Sequence, residues 1–485
     1  MSGVRAAIVL AGLGLASCAG LPPKPAPVVL STTAPLSGLD QSGGESWPAN
    51  DWWRRYQDPS LNALVEQALA VAPTLASAHA RFEEARESVR AAAAASGAQV
   101  GLDADAERQR LSDNGIVSAF PPQLLPFHWY NTFDLGLQAR YTFDWWGKQR
   151  AAVESAMDQA HAAQAERTAA ALVLASSVAD TYFGWQADQS RLSLARERLA
   201  TVQREGAISL ERVNAELDAA DTLHRTDAAL AAVKEQIAGL EGSAQLRIVA
   251  LASLVGRAPA ELPPLEPKPL PAVAIALPDN VRLDLISRRA DITASRWRVE
   301  AAEKNLESAR ADFYPDISIN VLANLDSLTS SRLLEYGSRA PVAGAALHLP
   351  IFDSGRLKAR YRATQVLIDQ AVAAYNQTLV DAAREVATQA ATRAEIAAQR
   401  TQRAVQVDAA LQLRQSAAAR VRQGIDDRRV ELTAVESWIQ QRDALLQLDS
   451  AALSADIGLQ RALGGGYEMP AKFANTNSRL QQSKP

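Results

Sequence analysis

Four segments of the chain alternate apolar and polar residues with a period of two. They lie at about 99–110, 132–145, 316–326 and 341–352, and the fourth alternates least clearly. This period is typical of β-strands with one apolar side and one water-facing side, and the lengths match tilted strands that cross a bilayer. Aromatic residues gather at the strand ends, as in the interfacial belts of membrane proteins: Trp129, Tyr130, Trp145, Trp146, Phe313 and Tyr314. The pattern predicts two membrane hairpins, although alternation alone also fits four strands of a soluble sandwich.

The predicted strands are too few to close a barrel within one chain. A transmembrane barrel needs about eight strands or more, because an open sheet edge leaves backbone groups without hydrogen-bond partners in lipid. The chain is therefore predicted to assemble with copies of itself; on the order of twelve strands would come from a trimer and eight from a dimer. The polar strand positions are predicted to face a mildly acidic lumen, and they are Asp103, Asp105, Glu107, Asp134, Asn320 and Asn324.

Two long windows carry the apolar spacing of α-helices. Proline is absent from 127–258 and from 351–469, and apolar residues there recur at helical steps. A glycine near the middle of each window, Gly206 and Gly424, predicts the turn of an antiparallel helix hairpin. At 1.5 Å per residue the first helix of each hairpin would be roughly 87 and 100 Å long, which predicts an elongated coiled-coil structure.

The order of these features indicates an internal duplication, because each half is predicted as helix, strand hairpin, long helix, turn and helix. Phe143-Asp144 with Gly147-Lys148 recurs as Phe352-Asp353 with Gly355-Arg356, and Gly206 is matched with Gly424. The predicted organisation is a signal peptide (1–17), a lipidated N-terminal tether (18–46), a first repeat (47–256), a Pro-rich linker (257–280), a second repeat (281–466) and a C-terminal tail (467–485).

The N-terminus predicts export and lipidation. Arg5 precedes an apolar run that is too short for a transmembrane helix and suits a signal peptide. The run closes with Leu15-Ala16-Ser17-Cys18, which resembles the lipobox of bacterial lipoproteins, and Cys18 is the only cysteine in the chain. Ala19 follows where an Asp would resemble an inner-membrane retention signal. We therefore expect Cys18 to carry covalent lipid, including palmitate, at the outer membrane.

Composition and charge exclude several other classes. The 485 residues carry a net charge of −4, which argues against a nucleic-acid binder, and one cysteine excludes a disulfide framework. The five histidines are scattered singly, and no HExxH, CxxC or phosphate-binding Gly-rich loop is present. We expect no enzyme activity, no metal site and no cofactor apart from the lipid. After the first twenty residues, no segment is expected to span a bilayer as a helix.

Several sequence motifs resemble those of a known family. Matching motifs occur in the expected order: Asp51-Trp52-Trp53, Asp58-Pro59 with Leu61, Leu64-Val65 and Ala68-Leu69, Leu254-Val255-Gly256-Arg257, Arg288-Arg289 with Asp291-Ile292, Tyr314-Pro315, Pro350-Ile351-Phe352-Asp353 with Gly355-Arg356, and Ala462-Leu463-Gly464-Gly465-Gly466-Tyr467. The chain resembles the TolC-family outer-membrane efflux proteins, in particular their NodT-type lipoprotein branch. Ala290 and Ala72 depart from that pattern, which usually has Pro and Asn there.

The resemblance implies a homotrimer in the outer membrane. Its twelve strands would form a β-barrel and its helices a periplasmic α-barrel, so that the fold is mainly α with a membrane β-barrel portion. It further implies the exit duct of a tripartite efflux pump, which binds a periplasmic adaptor protein and, through it, an inner-membrane RND-type transporter. Two alternatives are the outer-membrane duct of a type I protein secretion system and a periplasmic structural or adaptor coiled-coil lipoprotein.

The helix turns are the predicted constriction of such a duct. Charged residues follow Gly424, and repetition in a trimer would arrange them as rings that control ion passage and gating: Asp426, Asp427, Arg428, Arg429 and Glu431. Acid–base pairs between neighbouring chains are expected to hold the constriction shut. Relatives often carry acidic residues at the positions of Val430 and Thr433, so the acidic residues here are neighbours of the family positions. We expect a constriction that favours cations.

Overall fold

The computed structural model describes residues 23, 26, 28–31, 47–110, 112, 129–273 and 281–468. Within them the chain is mainly helical with one antiparallel sheet of four strands, which confirms the coarse fold class. The elements are α1 (Pro59–Val71), α2 (Pro73–Ala95), β1 (Gln99–Arg110), β2 (Trp129–Phe143), α3 (Lys148–Asn214), α4 (Asp221–Leu254), α5 (Val281–Arg288), α6 (Ala290–Ala311), β3 (Asp316–Ser327), β4 (Val342–His348), α7 (Arg356–Arg422) and α8 (Arg428–Ala462). The predicted signal peptide, Cys18 and most of the predicted tail lie outside the described residues.

The described residues fall into two compact units. The sheet unit comprises those within Met1–Val29, Glu83–His161 and Arg296–Ala373. The helical unit comprises those within Leu30–Phe82, Ala162–Ser295 and Ala374–Pro485.

The sheet has the strand order β1-β2-β3-β4, and its register assigns the strand residues to two faces. Asp105 lies opposite Asp134, which lies opposite Asp326, so three carboxylates form one row across three strands. Directly opposed residues share a face, and so do alternate residues of one strand. All six predicted lumen residues therefore lie on one polar face: Asp103, Asp105, Glu107, Asp134, Asn320 and Asn324.

The opposite face of the sheet is apolar and exposed. Its side chains include Val100, Leu102, Leu137, Ile319, Val321 and Leu347, which are 42–68% exposed. Among the described residues, the outer edges of β1 and β4 have no partner strand. The sheet of one chain thus presents an apolar face and two rows of unpaired backbone groups.

Two predicted strand ends are wrong. The second strand was expected to reach residue 145 and the fourth to reach 352, but β2 ends at Phe143 and β4 at His348. Asp144 instead caps α3, accepting hydrogen bonds from the N–H groups of Gln149 (3.1 Å) and Arg150 (2.8 Å). Pro350 has no N–H for a strand ladder, and Asp353 accepts hydrogen bonds from the N–H groups of Gly355 and Leu357 at the start of α7.

The helix turn predicted at Gly206 is not there. Helix α3 continues through Gly206 to Asn214, and the turn lies between that residue and the start of α4 at Asp221. A Cβ at Gly206 would lie 3.0 Å from Cγ2 of Thr226. The glycine therefore serves the close approach of α3 and α4, whereas the left-handed backbone of the turn is adopted by Glu216, with φ of 57°. The turn predicted at Gly424 is where α7 ends, and this glycine has φ of 70°.

The core of the helical unit joins segments that are far apart in the sequence. Trp52, Tyr56, Leu61, Tyr182 and Leu453 belong to one buried cluster. At its edge Asp58 caps α1 through the N–H of Ser60 and accepts hydrogen bonds from Tyr182 Oη (2.7 Å) and Lys268 Nζ (3.0 Å). This contact attaches the segment after α4 to both α1 and α3.

Asp58 is a carboxylate that the fold keeps charged. Burial raises the pKa of this carboxyl group, but hydrogen bonds from Tyr182, Lys268 and the Ser60 N–H outweigh burial and lower the pKa below its usual value. Burial, followed by the hydrogen bond to Asp58, raises the pKa of the Tyr182 phenol. Tyr182 therefore stays a donor at all physiological pH values.

Among the described residues, one helix has the length and apolar composition of a membrane span. It is α4, whose most apolar stretch has a mean hydropathy of 1.2, contrary to the expectation that no such helix follows the N-terminus. The test uses only length and composition, and helices packed inside a folded protein pass it too. Val233, Leu240 and Leu251 of α4 are buried in the fold.

We predict that Tyr182→Phe destabilises the helical unit by about 1–3 kcal/mol, because the change leaves Asp58 and Gln186 short of a buried hydrogen-bond partner. The folded-state pKa of Asp58 is depressed, so its contribution is present above a pH of about 4 and is lost as the pH falls through the folded pKa. The stability difference between wild type and Tyr182→Phe should thus shrink in acid. Thermal unfolding midpoints in detergent measure this difference, and the exposed Tyr141→Phe is the control.

A second prediction concerns helix packing. Gly239→Ala should stabilise the protein by up to about 1 kcal/mol, because alanine favours helix and nothing lies within 4 Å of the added Cβ. Gly206→Ala should show no such gain, since its Cβ meets Thr226. Adding Thr226→Ser to Gly206→Ala removes the methyl group that the new Cβ would meet and should restore the gain in stability. Thermal unfolding midpoints measure the effect, and equal midpoints for Gly239→Ala and Gly206→Ala would contradict the close approach of α3 and α4.

Candidate functional site

The two helix turns of the helical unit end their helices with the same hydrogen-bond motif. In the turn after α7, Ile425 N–H donates to Arg420 O (2.9 Å) and Gly424 N–H to Val421 O (3.0 Å). In the turn after α3, Leu217 N–H donates to Arg212 O (2.8 Å) and Glu216 N–H to Val213 O (3.0 Å). This pair of bonds around a left-handed residue is the Schellman motif. Glu216 is thus the counterpart of Gly424.

Each turn is also clamped by an arginine and an aspartate six residues apart. Arg212 donates to both carboxylate oxygens of Asp218, at 2.8 and 3.0 Å. Arg420 Nε donates to Asp426 Oδ2 in the second turn. The hydrogen bond from Arg212 lowers the pKa of Asp218. A bidentate guanidinium–carboxylate pair holds the loop conformation more specifically than a single-point contact.

Ion pairs connect one turn with the other. Arg429 Nη1 donates to Asp218 Oδ2 (3.2 Å), and Arg429 Nε donates to Asp427 Oδ2 (3.0 Å). Arg212 Nη1 lies 3.9 Å from Asp427 Oδ2. We call these four residues the tip network. Asp427 is also the N-cap of α8, and the hydrogen bond from the Arg429 N–H, followed by the Arg429 side chain, lowers its pKa.

The predicted constriction residues differ in their partners. Asp426 pairs with Arg420, whereas Asp427 and Arg429 belong to the tip network. The side chains of Arg428 and Glu431 have no hydrogen-bond or ion-pair partner within the part of the chain that the structure describes. The ion pairs seen here form within one chain, and the pairs expected between neighbouring chains stay a prediction. The first turn brings Asp218 next to Arg429 of the second.

Arg212, Glu216 and Asp218 are the candidate residues that sequence reasoning missed. The repeated spacing, an arginine six residues before an aspartate at both turns, is the signal that identifies them. The correction also changes the charge of the site. Residues 211–221 contain four acidic residues and one arginine, whereas residues 420–431 contain four arginines and three acidic residues. The acidic excess of the tip thus belongs to the first turn.

The polar sheet face is the second candidate site, because it carries carboxylates with few counter-charges. Gln138 Nε2 donates to Asp103 Oδ2 (2.6 Å), while the row of Asp105, Asp134 and Asp326 has no basic residue opposite it. Arg140 lies opposite Asn320, farther along the same face. Among the residues described, no three His, Cys, Asp or Glu side chains are arranged so that they could hold one metal ion.

Comparisons with known proteins bear on both sites. The family model described as "Outer membrane efflux protein" matches residues 64–257 and 282–465, which is well over half of the chain. The multidrug resistance outer membrane protein MdtP of Escherichia coli K12 is 32% identical over 426 residues, covering 87% of each chain. MdtQ of Escherichia coli O157:H7 is 32% identical over 433 residues, covering 87% of this chain and 89% of MdtQ.

Solved structures agree with these relatives. The outer membrane protein VceC of Vibrio cholerae has a TM-score of 0.76 and 33% identity, covering 87% of this chain and all of VceC. The outer-membrane channel OprN has a TM-score of 0.80 and 27% identity, covering 93% of this chain and 99% of OprN. Sequence and fold therefore lead to one conclusion: this chain belongs to the outer membrane efflux protein family.

Proposed function

We propose that three copies of this chain form the exit duct of a tripartite efflux pump. As a family member the protein is an efflux channel of the outer membrane, and its relatives are channels and not enzymes. The proposed duct is a twelve-strand β-barrel continued by a helix barrel in the periplasm. It receives its cargo through a periplasmic adaptor and an inner-membrane RND-type transporter. No nucleic acid takes part in this function.

The sheet carries this proposal. One face is apolar and exposed, the other is polar, and both outer edges lack a partner strand. Backbone groups in lipid need partners, and only closure of the sheet supplies them along its full length. Closure by β1 of one copy against β4 of the next puts the apolar face towards lipid and the polar face towards a water-filled lumen.

Equal helix lengths support the proposed internal duplication. Helices α3 and α7 both contain 67 residues and begin at corresponding positions, Lys148 and Arg356. They end in the same turn motif with the same arginine–aspartate clamp. One helix hairpin in each of two repeats gives a trimer six helix hairpins, which supply the twelve helices of the proposed helix barrel.

A lipid on Cys18 is the proposed membrane anchor, and residues 18–46 connect it to the folded chain. The lipobox-like residues before Cys18 support this. The cargo is proposed to be drugs and other small toxic compounds, since two relatives are named multidrug resistance outer membrane proteins.

The tip network is the proposed gate. Arg429 contacts Asp218 and Asp427, so it joins the two hairpins of one chain. An adaptor that offers these charged groups better partners would favour a separated, open arrangement of the hairpins. The acidic excess of the first turn makes the constriction favour cations, together with Asp426, Asp427 and Glu431 of the second turn.

Native mass spectrometry of the detergent-extracted mature protein tests the assembly. We predict a trimer with one lipid-modified Cys18 in each chain, and discrete ion conductance after reconstitution into a planar bilayer. Cys18→Ser, with its signal sequence replaced by a non-lipoprotein one, is the control for the mass of the lipid. A soluble, unmodified monomer without conductance would leave only the coiled-coil interpretation.

Asp218→Asn tests the gate. The change removes the carboxylate charge that both Arg212 and Arg429 contact, so we predict several-fold more frequent channel openings without an adaptor. Single-channel recording measures the openings, and Glu235→Gln, an exposed carboxylate on α4, is the matched control. The same recordings report ion preference, which should shift away from cations in Asp218→Asn and in Asp426→Asn/Asp427→Asn. Unchanged opening in Asp218→Asn would remove the tip network as the gate.

A further inference from the structure

A cavity lies on the polar face of the sheet, at the end where β2 is followed by α3. Its volume is about 400 Å³, which is within the range of pockets that hold small molecules. All of its lining residues belong to the sheet unit. They include Arg140 and Thr142 of β2, Ser318 and Asn320 of β3, and Gln149 of α3. The cavity is therefore built from two neighbouring strands and the first turn of a helix.

Arg140 brings an uncompensated positive charge to this cavity. Its side chain has no hydrogen-bond or ion-pair partner in the part of the chain that the structure describes. The residues opposite it on both neighbouring strands, Gln99 and Asn320, are uncharged. Gln138 and Thr142, the next residues on the same face of β2, are uncharged too. A guanidinium group in such surroundings can bind a carboxylate through two parallel hydrogen bonds.

The other charged groups of the cavity have partners close by. Asp144 accepts hydrogen bonds from two N–H groups of α3. Lys148 Nζ lies 2.8 Å from Asp312 Oδ1 and 3.9 Å from Asp316 Oδ2, and His348 lies opposite Asp316 on β4. These groups form a local set of acids and bases. The guanidinium on β2 is the cationic group that remains for a ligand.

A second lining group also lacks a partner. The side-chain oxygen of Gln149 is buried and accepts no hydrogen bond from any residue that the structure describes. The backbone N–H of Gln149 donates to Asp144 Oδ1 (3.1 Å), so the start of α3 holds this residue at the cavity wall. A buried acceptor without a donor is unfavourable, and a donor on a bound molecule would remove that penalty.

We propose that this cavity binds small organic anions that also carry a hydrogen-bond donor. The carboxylate of such a molecule pairs with the Arg140 guanidinium, and its N–H or O–H group donates to the Gln149 oxygen. The inference rests on the proposed function for its place in the lumen, and it deepens that function by naming a chemical class of cargo. In the proposed trimer, three such sites face the lumen at one level of the barrel.

The position of the site gives it a role in the passage of anions. Arg140 is six residues from Asp134 along β2, which is about 20 Å in an extended strand. This separation exceeds the screening length of about 8 Å at physiological ionic strength, so the two charges act separately on a ligand. The row of Asp105, Asp134 and Asp326 repels anions. Arg140 offers an anionic molecule a favourable stop at the other end of the same face.

Indole-3-acetate and its methyl ester test the site, because they differ in charge while both carry the indole N–H donor. Isothermal titration calorimetry measures their binding to the detergent-extracted protein. We expect the wild type to bind the carboxylate about tenfold more tightly than the ester. Arg140→Gln should remove this difference, and Arg140→Lys, which keeps the charge without the planar fork, should keep part of it. Arg108→Gln is the matched control, since Arg108 lies on the apolar face of the same sheet.

Equal binding of carboxylate and ester to the wild type would overturn the site, and so would an equal loss in Arg108→Gln. If Arg140→Gln does not fold, the wild-type comparison and Arg140→Lys still decide. The N-methyl derivative of indole-3-acetate lacks the donor and should bind several-fold more weakly; binding as tight as that of indole-3-acetate would remove Gln149 from the site.

Bilayer conductance separates this inference from the proposed function. A protein that conducts ions but binds carboxylate and ester equally keeps the duct and loses the anion site. A protein that binds the carboxylate through Arg140 without conducting keeps the site and loses the duct.

Discussion

Unpaired backbone groups at the two outer strands of the sheet are the constraint on which the rest of the protein depends. Lipid offers no hydrogen-bond partner to an open strand, so in the proposed trimer β1 and β4 pair with strands of other copies. The register reinforces this requirement. Because most apolar residues of the four strands fall on the face opposite the carboxylates, closure in the proposed barrel hides the backbone edges while it separates lipid from water. A one-residue slip of β1, β2 or β3 would move its carboxylates to the apolar face.

The two long helices are matched in length. Asp144 and Asp353 cap α3 and α7 immediately after the strands, and each helix then runs for 67 residues. Equal length brings Arg212 and Arg420 to equivalent ends, so that Arg429 can join the two turns. The tip network is therefore a consequence of helix length as much as of charge.

Sequence reasoning identified what depends on local patterns. Alternation located all four strands and assigned the six polar residues to a common face, because a period of two is visible without tertiary contacts. It placed one turn at Gly424 correctly and the other at Gly206 wrongly. Glycine serves both a left-handed backbone and a close approach of helices, and the sequence does not say which. Glu216 adopts the left-handed conformation at the first turn, where no glycine marks it.

Contacts between distant segments were beyond such reasoning. Asp58, Tyr182 and Lys268 each look ordinary in the sequence, and their hydrogen bonds exist only after α1, α3 and the segment after α4 have packed together. The segment predicted as a tether shows the same limit. Tyr361 donates a hydrogen bond to the carbonyl oxygen of Pro23 and Val28 packs against a buried cluster, and neither contact leaves a mark in the composition of the segments involved.

The distribution of paired and unpaired charges separates two tasks along the proposed duct. In the proposed gate, Asp218, Asp426 and Asp427 each pair with an arginine of the same chain, so opening exchanges one set of ion pairs for another and can be driven by a partner that supplies charges. On the sheet face, the row of Asp105, Asp134 and Asp326 has no arginine opposite it, and like charges side by side favour the approach of cations at the cost of sheet stability. In the proposed duct, gating is therefore assigned to the helix turns, where ion pairs can be exchanged, and a further attraction for cations to the sheet face, where the row of carboxylates has no arginine opposite it.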